Sequence, residues 1–595
     1  MKRIIGYLVV AILGGLVMGT LALWAVGGGL VENPFAGPVE VAEEEEVERG
    51  PELEGAPGIL WPAITLEWAR DLPSDEAQKP LSDLAEREDA VGYIASLHLA
   101  RTVSSADSER AEDLLRRAQR LFEDPTVTRE LAELLVEMGE IEGAIAEYRR
   151  LLPEEEAIQA ILDLQISRST LATMLGEDGY YTAILDLLEE PPDEADGLFH
   201  YGRALYEIGE LEEALEVFRD LDAEGDARGS WWLARTMEAL GRVDSALAVY
   251  RALGSEGGYR AGIILEDRGQ HLEAAESFVS GTEPEAIWRG ARIFDEEGMN
   301  DAALAAYLRV SEMSDSTLWD DAAYRAFLMM GEDDPRREEM LDLLRDRPAW
   351  MVRLGREPDL ELFPELVPER PEFLLREAAY RESGRGELAA LERRIGERHA
   401  GAAEMLYLGL QHLQRGEYER AVRWGSELVR ERPCPAAYRV AYPKAFEDSV
   451  LEYARMYEVD PYLVWAVMRE ESRFQPQVVS WAGAVGLMQI MPGTGRDIAG
   501  RLGDSFDVAD LRDAETNLRY GTWYLGRMLD EYGTVDAALA AYNAGGGNAA
   551  RWLDSPLGSD PSTFPTAVTF RETRLYITRV ADSRAIYDWL YTDGE

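Results

Sequence analysis

An all-α fold is predicted for this chain. Two observations predict it and a third divides it. Across residues 59–433 apolar residues recur three and four positions apart, leucine, alanine, glutamate and arginine dominate, and runs of β-branched residues are rare. Within that stretch a short unit returns again and again: a glycine, an alanine five positions on, and an aromatic residue nine positions on. The dividing observation is charge. Residues 437–595 hold 15 basic against 23 acidic residues, a net of −8, so −45 of the total −53 lies on the residues before them. At 595 residues the chain is too long for one core, and the C-terminal part reads as a separate module. The acid excess excludes nucleic acid as a partner, because phosphate binding needs a basic surface.

The elements follow in order. Lys2 and Arg3 precede Ile4–Val26, 23 residues without a charge. That is long enough to span a bilayer and longer than the usual signal-peptide core. Residues 1–29 are therefore expected to be a transmembrane anchor with a cytoplasmic N-terminus and the rest of the chain exported; a cleaved signal peptide is the alternative. Residues 30–58, "LVENPFAGPVEVAEEEEVERGPELEGAPG", are rich in proline, glycine and acid and read as a flexible linker.

Residues 59–433 carry the repeats. The glycine, alanine and aromatic positions are Gly139, Ala144 and Tyr148; Gly209, Ala214 and Phe218; Gly241, Ala246 and Tyr250; Gly269, Ala274 and Phe278; and Gly298, Ala303 and Tyr307, with Gly416 and Ala421 in a shorter copy. The glycine ends one helix in a conformation other residues disfavour. The alanine lets the next helix come close, and the aromatic fills the gap. The unit resembles a tetratricopeptide repeat, and its irregular spacing implies a degenerate α-solenoid, or superhelix. Such a solenoid offers a concave surface to a partner or braces the C-terminal module. "ERPCPAAYRVAYPKAF", Glu431–Phe446, interrupts the helical pattern with three prolines, and the junction is placed at 434. The only cysteine, Cys434, excludes an intrachain disulfide, and the five histidines have no ligand spacing, so no metal or cofactor is expected.

In residues 434–595 "VDPYLVWAVMREESRF" reads as a helix with Asp460 as N-cap and Pro461 in its first turn. Leu463, Val464, Val467 and Met468 form its apolar side. Glu470 and Glu471 both fall three or seven positions after members of that set, so spacing does not choose between them. Whichever faces inward is a carboxyl with apolar neighbours and a raised pKa, as a general acid requires.

"REESRFQPQVVSWAGAVGLMQIMPGTG" resembles the signature of lytic murein transglycosylases of the soluble Slt type, goose-lysozyme-like enzymes of glycoside hydrolase family 23. "AYNAGGGN" (541–548), "ETRLYITRV" (572–580) and the Asn517, Gly521, Tyr524, Leu525 pattern are similar to further motifs of that family, in the same order. The resemblance implies a lysozyme-like α-helical catalytic domain. It makes Glu471, the glutamate before serine, the catalytic acid and base, with Glu470 in place of the usual glutamine and expected to turn away. It implies Ser472, Ser480, Gly486, Gln489, Met491, Tyr542, Asn543 and Glu572 as substrate-binding residues. Ser472 is expected to hold the helix end or orient Glu471, Gly483 and Gly486 to let backbone approach the sugar, and Glu572 to be a second, buried carboxylate. The implied substrate is peptidoglycan, cut between N-acetylmuramic acid and N-acetylglucosamine with formation of a 1,6-anhydro ring. The implied location is the periplasmic face of a bacterial inner membrane, with the solenoid available to cell-wall synthesis proteins. A hydrolytic muramidase, guided by Glu572 or an acid in 497–513, and a non-catalytic membrane-anchored scaffold are the alternatives.

Overall fold

The computed structural model describes residues 56–592 apart from Glu189. The segment Ile4–Val26 and nearly all of the acidic linker lie outside the described residues; among those described, no helix is long and apolar enough to cross a membrane. The fold is all-α, with no more than two isolated bridges among the described residues, within 479–490.

The repeat unit works as its residues dictate. Gly139, Gly209, Gly241, Gly269, Gly298 and Gly416 all have φ between 70° and 91°, the left-handed conformation that terminates a helix. The six alanines are fully buried, and Phe218, Tyr250, Phe278 and Tyr307 are too. Successive helices pack as neighbours along the chain, giving a superhelix of hairpins.

The superhelix does not stay open. Helix Gly386–Arg398 returns to pack on Ala90–Val103, and Tyr380, Ala389, Leu391 and Ile395 join the core of the first helices. Glu392, fully buried, accepts from the Ala90 amide at 3.0 Å and from Arg376 at 2.7 Å. Arg385 pairs with Glu67 through two contacts of 2.7 Å. The two ends of the superhelical region thus meet in a ring.

Helical pattern was expected throughout 59–433. Residues 356–371 depart from it: Pro358, Pro364, Pro368 and Pro371 prevent a helix. The irregular stretch crosses back over later elements instead, its Phe363 amide donating to Pro433 O and its Glu369 amide to Ala403 O. No spatial gap marks position 434. Helix Pro435–Ala441 packs on Tyr418–Glu431, and Val422 belongs to the core of the C-terminal part.

The C-terminal part is seated on one arc of the ring. Helix Pro348–Arg353 packs on the last helix, Arg571–Tyr591. The Ala349 amide donates to Asp582 at 2.7 Å, Tyr324 donates to Ser562 O at 3.0 Å, and Arg353 clasps Asp536 with two bonds of 2.9 and 2.8 Å. Both members of the last pair are largely buried. Arg353→Ala leaves Asp536 buried without its partner, so a loss of about 3 kcal/mol is expected, read as a lower midpoint in the unfolding of the C-terminal part. An unchanged midpoint would show that the seat does not brace it.

Candidate active site

The site is built on helix Pro461–Ser472. Asp460 caps it, accepting from the Tyr462 amide at 3.0 Å. Every residue from Leu463 to Met468 is buried, so this is a central helix with no polar face. It packs along Arg571–Tyr591. Its end is sharp: Arg473 and Phe474 follow with φ of 49° and 64°, a conformation that costs non-glycine residues about 1 kcal/mol or more each. Burial of the Phe474 ring, edge-on to Tyr418, holds the turn.

The two glutamates part at this end. Glu470 pairs with Arg469 at 2.5 Å and accepts from the Ser583 hydroxyl at 2.8 Å, so it is committed to the protein. Among the described residues Glu471 has no ion-pair partner. Burial, first, pushes its pKa up to about 7; the charges of Glu470 and Glu572 add to the rise, and the Tyr576 hydroxyl opposes it. That hydroxyl is buried and meets no partner within hydrogen-bonding geometry among the described residues. Tyr542, also beside Glu471, has its own pKa raised by burial and by that charge.

A flap, residues 475–491, lies over the helix end. The Ser472 hydroxyl, buried, donates to Leu487 O at 2.7 Å and also contacts Met468 O at 3.1 Å. Tyr542 donates to Met488 O at 2.8 Å. Asn517, fully buried in helix Ala514–Tyr532, is the organiser: its side-chain oxygen accepts from the Met488 amide, and its nitrogen donates to Val485 O and Leu511 O, all at 2.8 Å. Gly521 lets the Met488 side chain lie directly on that helix, where an added Cβ would come within 2.3 Å of its sulfur.

The residues expected to touch substrate are brought to one region, with different jobs in several cases. Gln489 is half-buried and donates to Gly486 O at 2.8 Å; Met491 is 44% exposed at the flap's end. Ser480 accepts from the Ala484 amide at 3.0 Å. Asn543 is exposed and accepts from the Thr573 hydroxyl at 2.7 Å. Gly486 is buried at φ 83°, and a Cβ there would lie 2.3 Å from the Asn517 amide nitrogen and 2.4 Å from Leu511 O, so packing alone already requires a glycine. Ser472 commits its hydroxyl to Leu487 O of the flap. One expectation needs correction. Glu572 is exposed on the first turn of its helix, not buried, although its charge is felt at Glu471.

Tyr576 and Asn517 were not singled out from sequence as site residues. Both sit inside matched motifs, but their roles depend on which neighbour each side chain meets. Gly486→Ala meets both a forbidden backbone angle and a steric clash. It is expected to cost at least about 3 kcal/mol and to lower activity more than tenfold by displacing the flap; thermal melts and rates together check this, and wild-type values in both would refute the packing role.

Comparison with known proteins now places this geometry. Residues 448–564 match the family described as "SLT: Transglycosylase SLT domain". The chain is 36% identical over 154 residues to the soluble lytic murein transglycosylase of Salmonella typhimurium, covering 24% of this chain and 23% of that protein. It is 34% identical over 160 residues to the Escherichia coli K12 protein of the same description, covering 26% and 24%. The sequence match thus spans about a quarter of these relatives' length. The fold match is wider. An inactive mutant of the lytic transglycosylase Slt from Pseudomonas aeruginosa superposes with a TM-score of 0.58 at 17% identity, over 90% of this chain and 93% of that one. A 70-kDa soluble lytic transglycosylase in complex with bulgecin A gives 0.54 at 18% identity, over 90% and 92%. The class that this resembles is the soluble-type lytic murein transglycosylases: in sequence over the C-terminal quarter, in fold over nine-tenths of the chain.

Proposed function

We propose that this chain is a peptidoglycan lytic transglycosylase, cutting the β-1,4 bond between N-acetylmuramic acid and N-acetylglucosamine and leaving 1,6-anhydromuramic acid ends. The observation that carries the reading is Glu471: a largely buried carboxyl with no ion-pair partner among the described residues and a pKa near neutrality, at the helix end to which the flap is tied. Protonated, it gives its proton to the leaving oxygen. The substrate's own N-acetyl group stabilises the charge at the sugar carbon. Glu471, now a carboxylate, takes the proton from the muramic acid 6-hydroxyl, whose oxygen closes the ring. One carboxylate serves twice and no water is consumed. Tyr576 and Tyr542 are positioned to orient it.

A hydrolytic muramidase needs a second carboxylate to guide water. Glu470 is occupied by Arg469 and Ser583. In 497–513, Asp504 pairs with Arg519, Asp507 and Asp513 cap helices, Asp510 accepts from the Asp507 amide, and Asp497, exposed, is not among the charges felt at Glu471. Glu572 alone is exposed and close enough to influence Glu471, and it carries the hydrolytic alternative. Mass spectrometry of peptidoglycan digested by the protein separates the two: products one water lighter than reducing muropeptides support the transglycosylase, reducing products the muramidase, and no products the scaffold.

In this proposal the ring spans 59–433, its hairpins of tetratricopeptide type, and the catalytic domain spans 434–595. Ile4–Val26 anchors the enzyme to the periplasmic face of the inner membrane, and the solenoid docks cell-wall synthesis proteins. A mature N-terminus beyond residue 26 would exclude the anchor.

A further inference from the structure

We infer that Trp481 is a carbohydrate-stacking residue that adds a sugar subsite to the cleft, holding a ring of the glycan strand away from the bond Glu471 protonates. This rests on the reading of the cleft as glycan-cleaving. Trp481 is 100% exposed, more than any other large apolar residue among those described. An indole left wholly in water forgoes a large apolar contact that folding ordinarily secures.

Its setting is built rather than loose. The Ser480 amide donates to Ala484 O at 2.9 Å, the Gly483 amide to Ser480 O at 2.9 Å, and the Ala484 amide to the Ser480 hydroxyl at 3.0 Å. Gly483 takes φ 89°. That is a three-residue hairpin turn closed by a left-handed glycine, with Trp481 as its first loop residue. The turn ends the hairpin in which Val479 pairs with Val485. The base of that hairpin is tied to the helix end beside Glu471 through Ser472 and Leu487. Leu487 lies six positions after Trp481, so the indole's backbone is at most about 22 Å from that tie, a span of a few sugar rings.

The chemistry of the flap selects a neutral, polar occupant. No charged residue occurs from Phe474 to Gly495. Val479 and Met491, the other large exposed apolar residues on the flap, lie at 43% and 44% exposure. A sugar ring presents a face of C–H bonds to stack on an indole and hydroxyl or acetamido groups to bond with its N–H. A bilayer surface is the less suitable occupant, because anionic lipid repels a chain of net charge −53.

The test uses the full chain and linear peptidoglycan oligosaccharides of four and eight sugars. Trp481→Ala is expected to raise KM for the octasaccharide roughly tenfold, the effect of losing one partly buried indole, with kcat kept, and Trp481→Phe is expected to recover most of the loss. The split between KM and kcat marks lost binding rather than damaged chemistry. Calorimetry of the octasaccharide with Glu471→Gln, alone and combined with Trp481→Ala, reads the same difference without turnover. Unchanged KM and unchanged binding would overturn the inference, as would a loss confined to binding of phosphatidylcholine vesicles. A parent protein that binds the octasaccharide through Trp481 but never cleaves it would overturn the cleavage reading alone.

Discussion

Glu471→Gln is expected to lower kcat by at least about a thousandfold, within the range that a positioned general acid supplies. Glutamine keeps the shape and the polarity of the site but has no proton to give at the leaving oxygen and no basicity to accept one from the 6-hydroxyl. Both halves of the proposed reaction fail together. Binding survives, so KM changes far less than kcat. The pH profile carries a second signature. Burial raises the pKa of Glu471 to about 7, and the first step needs the protonated form. The value of kcat/KM should therefore fall as pH rises through about 7, and that limb should vanish in the residual activity of the variant. A variant retaining a tenth of the activity, or the same alkaline limb, would remove Glu471 from the centre of the mechanism.

Spacing leaves Glu470 and Glu471 open for a physical reason, and only the motif resemblance selects Glu471 in the sequence. Choosing a face by spacing needs a helix with a polar side. The helix Pro461–Ser472 has none over Leu463–Met468, because neighbours surround it. What separates the two carboxyls is what meets them: Arg469 and Ser583 on one, Tyr576 and Tyr542 beside the other. Those neighbours come from residues more than seventy positions later, save Arg469. Local rules, by contrast, were legible. The repeat glycines end helices and the alanines accept close packing because each acts within one hairpin. Ring closure was not legible, since Glu392 meets the Ala90 amide across three hundred residues. Gly486 shows the same limit: its motif marked it as important, but only the Asn517 contact reveals that packing excludes a side chain there.

The catalytic carboxyl should also destabilise the protein that carries it, in a defined pH window. Glu471 has a pKa of about 7 folded against 4.5 in an unfolded chain. Between those values the folded state holds a proton that the unfolded state has released, so stability falls as pH rises through the window and the whole loss is present above it. A shift of that size corresponds to about 3 kcal/mol. Glu471→Gln removes the titration. The variant and the parent should match in stability near pH 4, diverge between pH 4.5 and 7, and differ by about 3 kcal/mol in the variant's favour at pH 8. Denaturant unfolding of both proteins at several pH values measures this directly. Parallel curves across the window would mean that Glu471 titrates as an ordinary surface carboxyl, and the same result would leave no ready proton for the leaving oxygen at neutral pH. Stability and catalysis therefore test one physical cause, the burial of a single unpaired carboxyl, from opposite sides.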